Sequence, residues 1–286
     1  MASTATTGNL ENAQRIIIAT SRYTEEHNAP AAALCEQFTL PQGSKQVTVP
    51  KISQMTMSDL QDGIDIIDEE DIGMTTIDLT AAEVGAKIII TDKLARQSAE
   101  NVFSMIGRQL GDGMARKKDV DVLALYSGFG TDFGSAGRAM SLANVSATVA
   151  YAKGNKFGSN VYIVQHPFAV WDIANTAVTA SSTYPVPAGW SADLLGNFFS
   201  GLRPINGVPI FEDGNITIDS DDDAVGVCAD RSALAILKSV DTKTERQRDA
   251  SLRATEVIIT ADYGVFELDD SKGVALTLDA GTPATA

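Results

Sequence analysis

Side chains suited to acid–base or nucleophilic chemistry are few in this chain of 286 residues, which has two histidines and two cysteines. His27 lies in a polar N-terminal stretch, and His166 ends an apolar run just before a proline, which favours a structural histidine over a general base. Cys228 lies in the apolar stretch AVGVCA, which is typical of a small core residue, and nothing around Cys35 predicts a reactive thiol. The sequence therefore predicts no catalytic residue and a protein that is not an enzyme.

Two loops have spacings similar to those of ligand-binding motifs. GFGTDFGSAG has glycines near the dinucleotide-binding spacing, but it follows a predicted helix, whereas that fingerprint follows a strand. DGNITIDSDDDA, which begins at Asp213, resembles a calcium loop, yet Ile218 and Ala224 stand where an EF-hand requires Gly and a bidentate Glu. We therefore predict a flexible loop at the first site, with no cofactor, and no dedicated metal site at the second.

The charge excludes several classes of protein. The chain has 22 basic and 37 acidic residues and a net charge of −15, which argues against a surface built to grip a phosphate backbone. Sixteen of the acidic residues fall in two windows that contain no Lys or Arg, between Lys51 and Lys87 and between Arg203 and Arg231. We predict two exposed acidic segments, which face either water alone or a basic partner surface.

The cellular compartment follows from cysteine content and hydropathy. Two cysteines are too few for a disulfide scaffold, which indicates folding under reducing, intracellular conditions. No apolar run approaches the ~20 residues that span a bilayer, and the N-terminus lacks the pattern of a secretory signal. The sequence therefore predicts a cytoplasmic protein without membrane contact.

The first half of the chain predicts three kinds of element. Residues 1–37 have little apolar content and predict an arm that needs another surface to order it. Residues 38–90 have β-branched runs, with the acidic residues 54–71 at the tip of a long hairpin. Residues 92–126 predict one long helix, whose apolar stripe runs from Ala95 to Met114. Three glycines weaken this helix and predict either a bend or close packing against a neighbour: Gly107, Gly111 and Gly113.

The second half predicts short strands and one helix. NVSATVAYA predicts a short strand, and NVYIVQ predicts a buried strand followed by a turn and a short helix. GVPIF predicts one further strand and AVGVCADRSALAIL two more, whereas residues 238–253 are a charged segment of mixed sign without a predicted element. ATEVIITADYGVFEL and GVALTL predict a pair of strands, on which the long helix packs around Val257, Ile259 and Val265.

The order of these elements resembles that of tailed-phage major capsid proteins with the Hong Kong 97-type fold. TTIDLTAAEVGAKIIITDKLARQSAENVF is similar to the family's returning loop strand and the start of its spine helix. GRQLGDGMARKKDVDVLALYSGFG resembles the end of the spine helix, and RATEVIITADYGVFELDDSKGVALTL resembles the closing strands of the peripheral domain. NVYIVQHPFAVWDIANTA and LRPINGVPIFEDGNI are similar to elements of the axial domain.

The resemblance implies an α+β fold with an N-terminal arm, an extended β-hairpin loop, a peripheral domain with a long spine helix, and an axial domain. The boundaries that it implies are 1–37 for the arm, 38–90 for the extended loop, 91–150 for the peripheral domain, 151–237 for the axial domain and 238–286 for the return to the peripheral domain. In this family the spine helix bends in the immature shell and straightens on expansion.

The implied function is that of a major capsid protein, which self-assembles in the host cytoplasm into the icosahedral head of a tailed bacteriophage and becomes part of the virion. Its partners would be copies of itself in hexameric and pentameric capsomers, a portal, a decoration or cement protein, and packaged DNA without sequence specificity. The resemblance also implies either a separate scaffolding protein or assembly without one. Some relatives join a loop lysine to an asparagine covalently. Lys45 and Lys51 lie away from the loop tip, so we predict non-covalent shells. An encapsulin-type compartment shell and an unrelated cytoplasmic enzyme or binding protein remain the alternatives.

Overall fold

The computed structural model describes residues 30–51, 59, 73–93, 102–178 and 207–283. We label its strands and helices in chain order. They are α1 (Pro30–Leu34), β1 (Glu36–Thr39), β2 (Gln46–Lys51), β3 (Thr75–Thr80), β4 (Ala82–Thr91), α2 (Val102–Leu123), α3 (Leu142–Gly154), β5 (Val161–Gln165), α4 (Pro167–Val178), β6 (Ile210–Glu212), β7 (Asp223–Asp230), β8 (Leu234–Asp249), β9 (Ala254–Glu267) and β10 (Gly273–Asp279).

The first sheet has the strand order β1-β8-β9-β4. Its centre is the long antiparallel pair β8 and β9, β4 runs antiparallel to β9, and β1 runs parallel to β8. Strand β8 is apolar and buried from Leu234 to Leu237, and it continues as a strand to Asp249 through the charged segment. The charged sequence of residues 238–253 predicted neither a helix nor a strand. Their strand structure comes from pairing with the strongly β-forming β9 rather than from their own pattern.

The second sheet has the order β10-β7-β5-β6 and corrects one prediction. β9 and β10 do not pair with each other, because β10 lies antiparallel to β7 in the second sheet. Strand β9 ends where the N–H groups of Leu268 and Asp269 both donate to the carbonyl of Ala233. A short 3₁₀ turn follows and leads the chain into β10. The segment 238–286 therefore contributes strands to both sheets.

The long helix keeps the predicted stripe but ends earlier than expected. Ile106, Leu110 and Met114 are buried, and the helix packs against β9, where Val257 and Ile259 are buried too. Helix α2 ends at Leu123 rather than Tyr126, and a 3₁₀ turn follows it. The start of the predicted stripe, at Ala95, lies outside the described residues.

A second helix replaces the strand that NVSATVAYA predicted. α3 begins after Ser141, whose hydroxyl accepts a hydrogen bond from the N–H of Asn144, the N-cap geometry that starts a helix. Four side chains at helical spacing are buried on one face: Val145, Thr148, Val149 and Ala152. The β-branched content misled the prediction, because burial of this face outweighs the weak intrinsic preference for strand.

Residues 30–37 belong to the body rather than to an arm. Ala31 is fully buried in α1 and Cys35 is 1% exposed, and β1 then pairs with β8. The prediction that residues 1–37 form an arm without a core is thus wrong for the last eight of them. The other arm residues, 1–29, and the hairpin tip, 54–71, apart from the single residue Asp59, lie outside the described part of the chain.

Candidate functional site

The two-stranded sheet of β2 and β3 is the base of the predicted hairpin. The strands are antiparallel, and Val47 pairs with Leu79 and Val49 with Ile77 on one face. Leu79 is fully buried and the other three are half-buried, whereas the opposite face of Thr48, Thr76 and Asp78 is exposed. The hairpin base therefore has one apolar face and one polar, exposed face.

Backbone packing and one ion pair fix this hairpin to the first sheet. β3 lies against β9, and the carbonyl of Thr80 comes so close to Gly264 that a Cβ at residue 264 would collide with it. Lys51 Nζ lies 2.6 Å from Asp269 Oδ1, just after β9. Partial burial raises the pKa of Asp269, but Lys51 and two hydrogen bonds from Ser271 outweigh burial and hold it below its ordinary value. These two contacts within one subunit therefore fix the orientation of the β2–β3 sheet relative to the first sheet.

The glycine-rich loop is a strap held on β10, which corrects the prediction of a flexible loop. The N–H of Phe133 donates to the carbonyl of Ala275, whose N–H donates to the carbonyl of Thr131. Three glycine N–H groups donate to aspartate carboxylates, in the pairs Gly130 to Asp270, Gly134 to Asp132 and Gly137 to Asp223. These N–H groups are already satisfied by carboxylates, so they do not form the cradle that a dinucleotide phosphate requires.

The second acidic window is partly structural: four of its seven acidic side chains are exposed as predicted, and three are buried. Asp213, Asp223 and Asp230 are 3%, 4% and 7% exposed. The carboxylate of Asp230 accepts hydrogen bonds from the N–H groups of Asn160 and Ser232, and that of Asp223 accepts one from Gly137. No group of three or more potential metal ligands occurs among the described residues.

A buried polar junction joins α1, α2 and the turn after β6. Asp119 of α2 is fully buried. Its Oδ1 accepts a hydrogen bond from the N–H of Ala31 at 3.1 Å, and its Oδ2 accepts one from Asn215 Nδ2 at 2.8 Å. Burial and the neighbouring carboxyl of Asp213 raise the pKa of Asp119 to about 7. We call the side chains of Asp119, Asp213 and Asn215 the buried junction.

Sequence reasoning missed the buried junction almost entirely. The one available indication was the position of Asp119, which lies four residues after Ala115 and three before Val122, both of them buried on α2. Asp119 lies within the charged run KKDVD, which hides this periodicity. Asp213 was considered only as the first position of a calcium loop.

The histidine and the two cysteines occupy structural positions. Nδ1 of His166 accepts a hydrogen bond from the N–H of Phe168 in the first turn of α4, and burial lowers its pKa although Asp213 acts in the opposite direction. Both thiols are free and buried, and burial raises the pKa of Cys35 and of Cys228 to about 12. Thiols with such pKa values are protonated at neutral pH and are poor nucleophiles. His27 lies outside the described residues.

The described helices include none that is long and apolar enough to cross a membrane.

No protein-family model and no curated protein sequence matches the chain. Solved structures do match over nearly its whole length. The capsid of Helicobacter pylori bacteriophage KHP30 has a TM-score of 0.70 at 11% identity and covers 88% of this chain and 90% of its own. The capsid of Ralstonia phage GP4 has a TM-score of 0.68 at 13% identity, with 91% and 90% covered. The capsid of a native GTA particle gives 0.65 at 12%, with 87% and 90% covered.

The chain therefore has the α+β fold of tailed-phage capsid proteins, which confirms the fold that the sequence resemblance implied. The five domain boundaries stay predictions.

Proposed function

We propose that the protein is a major capsid protein, which assembles with copies of itself into the icosahedral head of a tailed bacteriophage. The observation that carries this proposal is the mutual coverage with capsid structures, in which about nine-tenths of both chains superpose.

The geometry of the hairpin supports the same function. A subunit of a closed shell needs contact surfaces that it cannot satisfy alone, and isolated two-stranded sheets are marginal in water. The β2–β3 sheet, which has an exposed polar face and only one fully buried side chain, Leu79, fits that requirement. Non-specific contact with DNA agrees with a net charge of −15.

The remaining partners belong to the same proposal. We infer hexameric and pentameric capsomers, non-covalent shells, a separate scaffolding protein, a portal and a decoration or cement protein. The protein would assemble in the host cytoplasm and end in the virion, without enzymatic activity of its own.

Assembly can be tested on the purified chain. Sedimentation velocity and negative-stain electron microscopy should show capsomers or closed shells, alone or with a co-expressed scaffolding protein. Nuclease-protected DNA inside particles made during infection would support the phage assignment. Shells filled with a cellular enzyme would indicate an encapsulin-type compartment instead. A monomer at every concentration, with or without scaffold, would contradict any shell.

A further inference from the structure

The buried junction has an unsatisfied oxygen that needs explanation. Asp213 Oδ1 accepts a hydrogen bond from the N–H of Asn215, but its Oδ2 is buried without a partner. Both oxygens of Asp119 are used by Ala31 and Asn215, and the two carboxyl groups interact directly. Buried polar atoms almost always have a partner, and a proton held between the two carboxyls would supply one here.

No cation compensates the two carboxylates. Among the described residues neither Asp119 nor Asp213 forms an ion pair with Lys, Arg or His. Arg116 lines an adjoining cavity of about 410 Å³ but makes no such pair. Two negative charges at this depth would be strongly unfavourable, so one of the two groups is neutral while the site stays closed.

The surrounding titratable groups add little positive charge. Most of the groups that face the pair are acidic or neutral, with Arg116 and Arg231 as cations, whereas Lys118, next to Asp119 on α2, donates to Thr242 and lies over the ring of Tyr263. The groups are Cys35 after α1, Asp112, Arg116 and Tyr126 on or after α2, Tyr162 on β5, His166 before α4, Glu212 on β6 and Arg231 after β7. Burial also leaves the hydroxyls of Tyr126 and Tyr162 without hydrogen-bond partners, so neither stabilises the carboxylates.

Helix α1 is a short element that closes the junction. It has five residues, and the hydrogen bond from Ala31 to Asp119 crosses to α2. The cavity reaches Pro30 on one side and Gly214 on the other, so water could reach the carboxyls if α1 moved. The Ala31 N–H group favours a charged Asp119 and holds α1 in place, but hydration of a doubly charged pair favours the movement and opposes this single bond.

We propose that Asp119 and Asp213 share one proton, and that its loss weakens the docking of α1 on the body. The junction is then a pH-sensitive latch on the point where the N-terminal segment enters the fold. This inference concerns the subunit alone and does not depend on the proposed function. A pKa of about 7 for Asp119 places the transition near neutral pH.

Hydrogen exchange on the full-length protein tests the latch. After correction for the intrinsic rate, protection of the peptide that contains residues 30–35 should fall by about tenfold or more between pH ~5.5 and ~8.5. Protection of β9 should stay unchanged over the same range. Asp213→Asn removes one charge but keeps the shape, so it should move the pH dependence to lower pH, because burial alone still raises the pKa of Asp119.

The matched control is Asp221→Asn, which removes a carboxylate from an exposed turn and should behave as wild type. Equal protection of residues 30–35 at both pH values in wild type, or an Asp213→Asn variant with the wild-type pH dependence, would overturn the proposal. Infrared spectroscopy of wild type needs no variant. It should detect a protonated carboxyl at pH ~6 that disappears by pH ~8.5, and a spectrum without that band at pH ~6 would also refute the proposal.

Discussion

Truncation of Leu79 tests whether the β2–β3 sheet can open independently of the rest of the protein when its one fully buried side chain is shortened. Leu79 is the fully buried side chain of β3, and its neighbours on the same face are only half-buried. Leu→Ala at a buried site costs about 2–5 kcal/mol, and the open flank of the hairpin places this site at the lower end, ~2 kcal/mol. The hairpin base lies beside the first sheet rather than inside it. The substitution should therefore lower the free energy of local hairpin opening and leave the free energy of global unfolding nearly unchanged.

Hydrogen exchange resolved by segment separates these two effects. A loss of ~2 kcal/mol corresponds to about a thirtyfold drop in protection of β2 and β3 in Leu79→Ala. Protection of β8 and β9 and the urea midpoint should change little. Val49→Ala is the matched control, since its half-buried side chain should cost less than ~1 kcal/mol. Unchanged hairpin protection, or an equal loss in β9, would refute the reasoning.

Three further predictions follow from burial and backbone geometry. Gly113→Ala should raise stability by about 1 kcal/mol in urea unfolding, because a Cβ there meets nothing within 4 Å, whereas Gly134→Ala should lower it through a clash with β10. At pH ~6, where α1 stays docked, native protein should react with a thiol reagent at Cys35 and Cys228 only at the rate of unfolding, and fast labelling at that pH without denaturant would contradict their burial. The raised pKa of Asp119 means that the folded state binds a proton more tightly than the unfolded state, so stability should fall by about 3 kcal/mol as pH rises from about 4 to 7, and Asp119→Asn should flatten this slope.

The glycines of the long helix now have different explanations. Close packing does not account for Gly113, which is exposed with open space beside it, so a role in helix bending stays a prediction for this residue. Gly107 and Gly111 are buried on the face of α2 that carries the apolar stripe. Assembly and expansion of a Gly113→Ala shell would test the bend directly, and normal expansion would exclude it.

The local hydrophobic pattern predicted most of the helices and strands. It failed where strand structure or strand pairing depends on a partner strand that is distant in the sequence. β2, β3, β4, β5 and α2 carry their own periodicity, so the sequence was sufficient. The partner of β10 was not predictable, because nothing in GVALTL distinguishes pairing with β9 from pairing with β7 about 50 residues away.

The site was less predictable than the fold, because charge along a sequence does not reveal burial. Asp213, Asp223 and Asp230 counted as an exposed acidic window, yet each is buried, and backbone N–H groups donate to all three. Carboxylates that accept backbone hydrogen bonds at turns lie in the interior at modest cost. Only the three-dimensional arrangement shows that Asp119 meets one of them.

The parallel pairing of β1 with β8 has a consequence for synthesis of the protein. Glu36 pairs with Ala235, so the two partners are 235 − 36 = 199 residues apart. At about 5–20 residues per second, β1 waits roughly 10–40 s on the ribosome before its partner strand is made. The first sheet therefore cannot close before β8 has been made, and α1, which directly precedes β1, docks finally only at that stage. A polysome would carry several chains whose first sheet is still open, with the free edge of β1 waiting for a strand that has not yet been made.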